Sequence, residues 1–451
     1  MVGETKGRRA ATRSVFLPQA DVGRQLFRAT VKTGHGALKR VLCSLLLPKR
    51  VTDPVILKLY PTARQATLLQ HCPSFRVTGQ WRHGLGAALI HADEVWTTET
   101  LTTGHDGNIR FHSDLSAEVG ELEIKSFRGP KPRQVWIERG VFWLTDHPLI
   151  NVASIITRSY TGKTQVRRVT RPQFTLATGA VLSFRRYHKY VKDNGGLLSF
   201  SELVAEFKFA RRQHEDAITR VAEDLDDWLL LASFAARSRS VCTGYEYGGP
   251  GVVVQQYRRM IRSLANSSVF SRNDTLIDVP PFFPFMRRAY RAFSSYSEKD
   301  LLRKAIYPLT HDAEKISESL FLDLFSGIQS AFLATAKVKG LASKSIYPQW
   351  QESFRHFHVH YNVDLSDLWP LVDTSQGASL TKIRNRLVHG DYFTSAEEHS
   401  LGYAQQHLRW TLERVLLSIL GWEVDKSRVS KKSLAMMSIA YSDWRRFRTV
   451  F

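Results

Sequence analysis

The sequence predicts an α+β protein: a β-rich, sandwich-like N-terminal domain followed by a C-terminal all-α helical bundle. Three observations predict it. Up to about residue 190, short runs of β-branched and aromatic residues alternate with Gly, Pro and Asp-Gly breaks, which is the pattern of strands and turns. Beyond about residue 200 the apolar period lengthens toward that of a helix, most clearly in Glu314 to Val338, where Ile316, Leu320, Leu324 and Ile328 recur every four residues. At 451 residues the chain exceeds one ordinary domain, so each pattern has length enough to bury a core of its own.

Taken in order, residues 1–195 form the predicted β-rich domain, 196–305 a helical connecting region, 306–425 the bundle and 426–451 a basic C-terminal tail. In the first part, Arg133 to Glu138 and Val141 to Thr145 flank Arg139-Gly140 and read as a hairpin, with Gly120 to Phe127 and Ala180 to Arg186 as further strands. No repeat of fixed period stands out, which favours a sandwich over a propeller or solenoid. Leu203 to Arg211 is expected to open the helical region. A stronger helix follows from His214 to Ala236, with Glu223, Asp224, Asp226 and Asp227 on its exposed side. Gly248, Gly249, Pro250 and Gly251 mark a turn; no G-K-[ST] follows, as a phosphate loop would need. Val252 to Tyr257 fits a strand or the start of a helix.

Pro280, Pro281 and Pro284 set a second boundary, after which Met286 to Ser294 and Glu298 to Ile306 are helical. In the bundle, Glu314 to Val338 is the central helix, and Tyr347 to Tyr361 and Asp364 to Val372 are shorter ones. Asp373 to Gly377 form a loop, and Ser400 to Leu420 closes the bundle at Gly421.

Lys and Arg total 63 against 42 Asp and Glu, a formal charge of +21, which points to a polyanionic partner with nucleic acid foremost. The three cysteines, Cys43, Cys72 and Cys242, are far apart and form no C-x-x-C pair, so neither a disulfide framework nor a cysteine zinc site is expected. The N-terminus is basic without an apolar core segment, and the apolar run Trp228 to Ala236 is too short to span a bilayer. The expectation is a soluble cytoplasmic protein with no membrane partner.

The strongest chemical signal lies in Leu380 to Tyr392. Leu380, Ile383 and Leu387 make one apolar stripe of a helix that stops at Gly390. At about 100° per residue, Asn385 and His389 lie one above the other and away from that stripe, and the long Arg384 side chain can reach a phosphate that also touches His389. His389 falls in the last turn, where the carbonyl end of the helix dipole favours a cation. Spacing alone favours a helix-terminal histidine donating to a carbonyl; the company of Arg384, Asn385 and Gly390 favours a functional one.

The pattern R-N-x-x-x-H followed by Gly, at Arg384, Asn385, His389 and Gly390, resembles the signature of the HEPN superfamily of ribonucleases, with the nearest likeness to the ApeA-like HEPN proteins of anti-phage defence. The resemblance is clearest over roughly residues 305 to 425, where apolar helices at Ser319 to Phe325 and Leu408 to Leu420 flank the motif. It implies a four- or five-helix bundle that forms a homodimer, with two motifs lining one RNA-cutting cleft. It further implies a metal-independent endoribonuclease without a cofactor, cleaving RNA (tRNA among the candidates) through 2′-hydroxyl attack as an abortive-infection effector. In that scheme His389 is general acid or base, Arg384 holds the scissile phosphate, and Asn385 orients His389 or the ribose. The β-rich half would be a sensor of a phage-derived trigger or a recruiting module. Some relatives carry Tyr two residues after the His; here Asp391 stands there and Tyr392 follows.

Further RNA contacts are expected from Lys382 and Arg386 beside the motif. Arg185 and Arg186 join them, in the stretch Phe184 to Tyr190 that could stack on bases while neutralising phosphates; an edge strand with solvated charges is the alternative there. His356, His358 and His360 would share one face only on a strand; the spacing of Trp350, Phe354 and Phe357 is helical, so no metal site is expected. His311-Asp312 and His105-Asp106 do not by themselves specify a dyad. Two other function classes stay open: a non-catalytic RNA- or nucleotide-binding protein, and a purely structural interaction protein.

Overall fold

In a computed structural model of the chain, residues 26–48, 53–83, 86–103, 112–128, 134–150, 155–158, 164–167, 172–193, 196–249, 252–258, 275–310, 318–338, 350–372, 378–437 and 445–446 are described. The fold is α+β, and the chain divides into two compact units. One comprises residues 1–145, 185–217 and 242–262, the other 146–184, 218–241 and 263–451.

The first unit is built from antiparallel strands. These are β1 (Leu26–Thr33), β2 (Gly36–Leu46), β3 (Ile56–Tyr60), β4 (Phe75–His83), β5 (Gly86–Thr103), β6 (His112–Arg128) and β7 (Trp136–Leu144), with one short helix, α1 (Ala63–Gln70). The period-two pattern is plain in β1, where Phe27, Ala29 and Val31 point inward and alternate with more exposed residues. Strand β5 pairs with β4 on one edge and with β6 along its other, so β6, β3, β2, β1, β4 and β5 close on themselves. The core of the resulting barrel includes Val31, Leu57, Leu59, Val77, Ile90 and Leu115. Closure corrects the expected sandwich: β5 and β6 run 18 and 17 residues, long enough to wrap and pair throughout, and closing the ring removes exposed strand edges.

Beyond Gly120, the free edge of β6 passes from β3 to β14 (Val252–Arg258), and the sheet continues through β13 (Cys242–Gly249), β7, β12 (Gly196–His214) and β11 (Val181–Asp193). Two expectations change here. Arg133 to Thr145 holds no hairpin, because β7 runs through Gly140 without turning. A Cβ at Gly140 would lie 2.5 Å from the Glu246 carbonyl oxygen and from the Phe207 ring, so this glycine serves close approach and not reversal. Leu203 to Arg211 is strand β12 and not helix; buried Phe207 and Phe209 alternate with exposed Lys208 and Ala210. The interval 196–305 is therefore no uniform helical connector, since β12, β13 and β14 all belong to the first unit. Gly249 pairs with Val252 across the expected turn, whose residues 250 and 251 lie outside the described residues.

The second unit is mainly helical: α2 (Ala217–Ala236), α3 (Phe282–Ser295), α4 (Lys299–Ile306), a 3-10 turn (Tyr307–Thr310), α5 (Glu318–Val338), α6 (Trp350–Tyr361), α7 (Leu380–His389), α8 (Ser395–Ile419) and α9 (Lys431–Met437). It also holds the hairpin β8 (Ile155–Arg158) and β9 (Thr164–Arg167), and β10 (Gln173–Thr175), which pairs with the start of β11. Helix α5 packs against α4, α6, α7 and α8. Among the described residues it is the one helix apolar enough by length and composition to cross a membrane, over Glu318–Ala336, and most of that stretch is buried as in a core helix.

Two segments of this unit differ from what their spacing predicts. Asp227, expected on the exposed side of α2, is buried and takes a two-pronged bond from Arg303 at 2.7 and 2.8 Å. Asp364 to Val372 forms turns instead of a helix: the Asp364 carboxylate caps the Ser366 N–H at 2.9 Å, and Arg414, buried, holds the Asp364 carbonyl at 2.9 Å and the Asp367 carboxylate at 2.6 and 2.8 Å. Residues 373–377, the expected loop, and Trp444 and Arg448 of the tail lie outside the described residues, as do His311, Asp312, His105 and Asp106.

A second buried charge group sits on α8. Glu413, fully buried, accepts from Arg237 at 2.7 and 2.6 Å and from Arg409 at 3.3 Å, while Arg409 also donates to the Leu309 carbonyl at 3.1 Å. Arg237 ends α2 in the left-handed region at φ 50°, an unfavourable place for a long side chain, and its fork on Glu413 offsets that strain. These pairs tie α8 to the end of α2 and to the 3-10 turn. They fix the helix that carries His407 and Glu397, which hold the segments on either side of the motif.

Candidate functional site

Helix α7 is anchored at both ends. At its start, the Ser379 hydroxyl accepts the Lys382 N–H at 3.1 Å, and the Leu380 and Thr381 N–H groups bond to the Pro370 and Leu371 carbonyls at 2.9 and 3.0 Å. The segment that receives them is itself held: buried His407 on α8 accepts the Trp369 N–H through Nδ1 at 3.1 Å, and the Trp369 indole donates to the Ala378 carbonyl at 2.9 Å. At its end, Gly390 is left-handed (φ 79°, ψ 23°). Its N–H bonds to Leu387 at 3.2 Å while that of Asp391 bonds to Arg386 at 3.1 Å, which is a Schellman stop with His389 as the last residue before the reversal.

Leu380 and Ile383 are buried as the stripe predicts. Asn385 and His389 face outward, and Arg384, half-buried, donates from Nη1 to the Asn385 side-chain carbonyl at 3.1 Å. The three motif side chains thus occupy the solvent-facing part of one short helix, with the guanidinium already oriented by the amide. Lys382 is also exposed, one turn nearer the N-terminus. Beside His389, Val388 is 50% exposed and Tyr392 is 98% exposed.

Arg386 is placed differently from its expected role. Its Nη1 donates to Glu397 at 2.6 Å, its Nε lies 3.5 Å from Asp391, and its guanidinium sits 4.7 Å from the centre of the Phe393 ring. Glu397 is the third residue of the capping box of α8: its carboxylate takes the Thr394 N–H at 2.8 Å while the Thr394 hydroxyl takes the Glu397 N–H at 3.4 Å. Arg386 followed first by the Thr394 N–H holds that carboxyl down to about 2. The turn between α7 and α8 is therefore stapled by Arg386, which fixes where His389 stands. The T-x-x-E of Thr394 to Glu397 is a signal visible in the sequence that starts α8 five residues before Ser400.

Arg185 pairs with Glu206 at 2.8 Å in the first unit, Arg186 is half-buried, and Phe184 is buried in the second unit with its ring 4.7 Å from that of Trp228. Phe184 is thus a core residue and not a base-stacking one; the side chains of residues 187–190 lie outside the described residues. On α6, buried His356 bonds through Nε2 to the Thr335 hydroxyl at 2.9 Å and sits 4.9 Å ring to ring from His360, while His358 is on another side of the helix. Among the described residues no group of three or more His, Cys, Asp or Glu side chains is arranged to hold a metal ion.

No protein-family model matches the chain, and no curated protein matches it. Among solved structures it is matched to the crystal structure of YcgR in complex with c-di-GMP from Escherichia coli, at 10% identity and a TM-score of 0.14, over 44% of this chain and 83% of that one. A likeness at that score carries no argument about fold or function.

Proposed function

We propose that the chain is a metal-independent endoribonuclease of the HEPN type, acting in the cytoplasm, with the α7 triplet as its catalytic group and the helices around α5 as the bundle. One observation carries the reading: Arg384, Asn385 and His389 are presented together, outward, on a helix whose two ends are both fixed. RNA brings its own nucleophile in the 2′-hydroxyl, so a site must align that oxygen with the leaving 5′-oxygen, move two protons and neutralise the charge that builds on phosphorus. His389 moves one proton, Arg384 takes the non-bridging phosphate oxygens through its planar fork, and Asn385 orients the guanidinium and the ribose. The products are a 2′,3′-cyclic phosphate and a 5′-hydroxyl.

One triplet supplies one proton-transfer group where in-line cleavage uses two. A two-fold dimer supplies the second, and the exposed Val388 and Tyr392 beside His389 are the apolar contact on which two copies of α7 meet. The +21 charge draws in the polyanion. In this scheme the β-barrel unit is the sensing or recruiting module and the outcome is abortive infection; both rest on the resemblance. The test is cellular RNA resolved after induction of the wild type and of His389→Ala, repeated on purified protein in chelator. Cutting by the wild type alone, unaffected by chelator, is expected. Equal cutting by both proteins removes His389 from the mechanism, and RNA binding without cutting by the wild type leaves a non-catalytic RNA-binding protein.

A further inference from the structure

One cleft in the helical unit is lined by none of the motif residues. Strand β10 is the end strand of its sheet, so among the described residues one row of its backbone N–H and C=O groups has no strand beside it. Between this edge and α3 lies a cleft of about 420 Å³, bounded by Gln173 through Ala177 on one side and by Arg287, Tyr290, Arg291 and Ser294 on the other. Its floor is packed: Tyr290 is buried, its hydroxyl accepts the Ala177 N–H at 3.1 Å, and its ring stands edge-on to Phe174 with centres 5.2 Å apart. Arg287 and Arg291 are one helical turn apart and exposed, and among the described residues no carboxylate pairs with either. Two carboxylates act on Tyr290 through space: Asp224, which accepts the Thr178 N–H at 2.8 Å, and Asp227, which is paired with Arg303.

We propose that this cleft binds a mononucleotide, with its phosphate on Arg287 and Arg291 and its base against the open backbone edge of β10, while the Ser294 hydroxyl is engaged with that of Tyr290. Two guanidinium forks match phosphate oxygens, and a strand edge offers the alternating donors and acceptors that a base edge needs. Size selects among anions. The cleft is within the range of small-molecule pockets, roughly 300–1,000 Å³, which suits base, sugar and phosphate together. A β10 of three residues is too short to template an added peptide strand, which typically runs about five or six residues. The proposal does not depend on cleavage at α7. A free nucleotide and the terminal nucleotide of an RNA strand share this chemistry.

The test is calorimetric titration of the full chain with AMP, CMP, GMP and UMP, with inorganic phosphate, with the unphosphorylated nucleosides and with a 5′-phosphorylated trinucleotide carrying 2′-O-methyl groups to block cutting. At least one mononucleotide is expected to bind about tenfold or more tightly than phosphate or its own nucleoside, because both halves of the cleft then contribute. The double variant Arg287→Gln, Arg291→Gln, changed only at exposed positions and checked by circular dichroism, loses that affinity by about tenfold or more, while His389→Ala retains it. Tighter binding of the trinucleotide assigns a strand end; equal or weaker binding assigns a free nucleotide. The proposal is overturned if no mononucleotide outbinds phosphate, if the double variant binds as the wild type does, or if His389→Ala alone abolishes binding and so places the nucleotide at α7. Because cutting is scored separately, failure here leaves the ribonuclease reading standing, and the reverse also holds.

Discussion

Arg386 lies next to the catalytic candidates, is basic, and still should not act on RNA. Its side chain is 24% exposed and that of Glu397 is 12% exposed, with 2.6 Å between them, so the pair lies between a surface bridge and a buried one. Two unit charges about 4 Å apart attract by about 4 kcal/mol at an effective dielectric constant of 20, before desolvation. Exposed pairs retain about 0.2–1 kcal/mol and breaking a buried pair costs about 3–5 kcal/mol, so a coupling of about 1–2 kcal/mol is expected here. A double-mutant cycle of Arg386→Met and Glu397→Gln, read by urea unfolding of the full chain, measures it. The pH sign follows from the depressed carboxyl. Glu397 adds stability above its ordinary value of 4.5, and that contribution is lost as pH falls toward about 2, so the coupling should shrink across that interval. RNA affinity measured against salt completes the assay: both single variants should keep the wild-type slope, since neither removes a phosphate contact. A shallower slope in Arg386→Met alone, with additive stabilities, refutes the staple and restores Arg386 to the RNA surface.

Further outcomes follow from the same geometry. If two triplets share one cleft, a heterodimer of one wild-type and one His389→Ala chain, isolated through distinct tags, cleaves a short labelled RNA far below half the wild-type rate; half activity shows independent sites. Arg384→Lys keeps the charge and loses the fork that Asn385 orients, so cleavage falls by about tenfold or more, and near wild-type activity would show that charge alone suffices. In the barrel unit, Glu246 is 1% exposed and accepts from Gln255 at 2.9 Å, and burial pushes its carboxyl from 4.5 up to about 7 against that bond. The protonated form is favoured by the fold, so stability falls as pH rises from about 4.5 through about 7, by an amount on the order of 3 kcal/mol. Glu246→Gln should flatten that dependence in hydrogen exchange of β13, corrected for intrinsic rates. An unchanged slope places the titrating group elsewhere.

The parts of this protein that the sequence determined by itself are local. Helix α7 follows from the spacing of Leu380, Ile383 and Leu387 and from a glycine able to take the left-handed stop, and that spacing is also what turns Asn385 and His389 outward. The division into strand-rich and helix-rich parts follows equally from apolar period, and with it parts of β6 and β11 and the long helices α2, α5 and α8. Tertiary structure alone decided what depends on partners distant in the chain. Closure of the barrel rests on β5 finding β6 along its whole length, a pairing that residue patterns allow but do not specify, so sandwich and barrel read alike. Gly140 has the composition of a turn and is a strand residue because Phe207 and Glu246 come from two later strands to press on it. The same limit governs the site. A guanidinium beside a motif carries no mark of whether it meets a phosphate or a carboxylate. Arg386 meets Glu397 eleven residues on, and Arg237 meets Glu413 from the far end of α2, because burial makes an unpaired charge costly and the fold brings the opposite charge within reach.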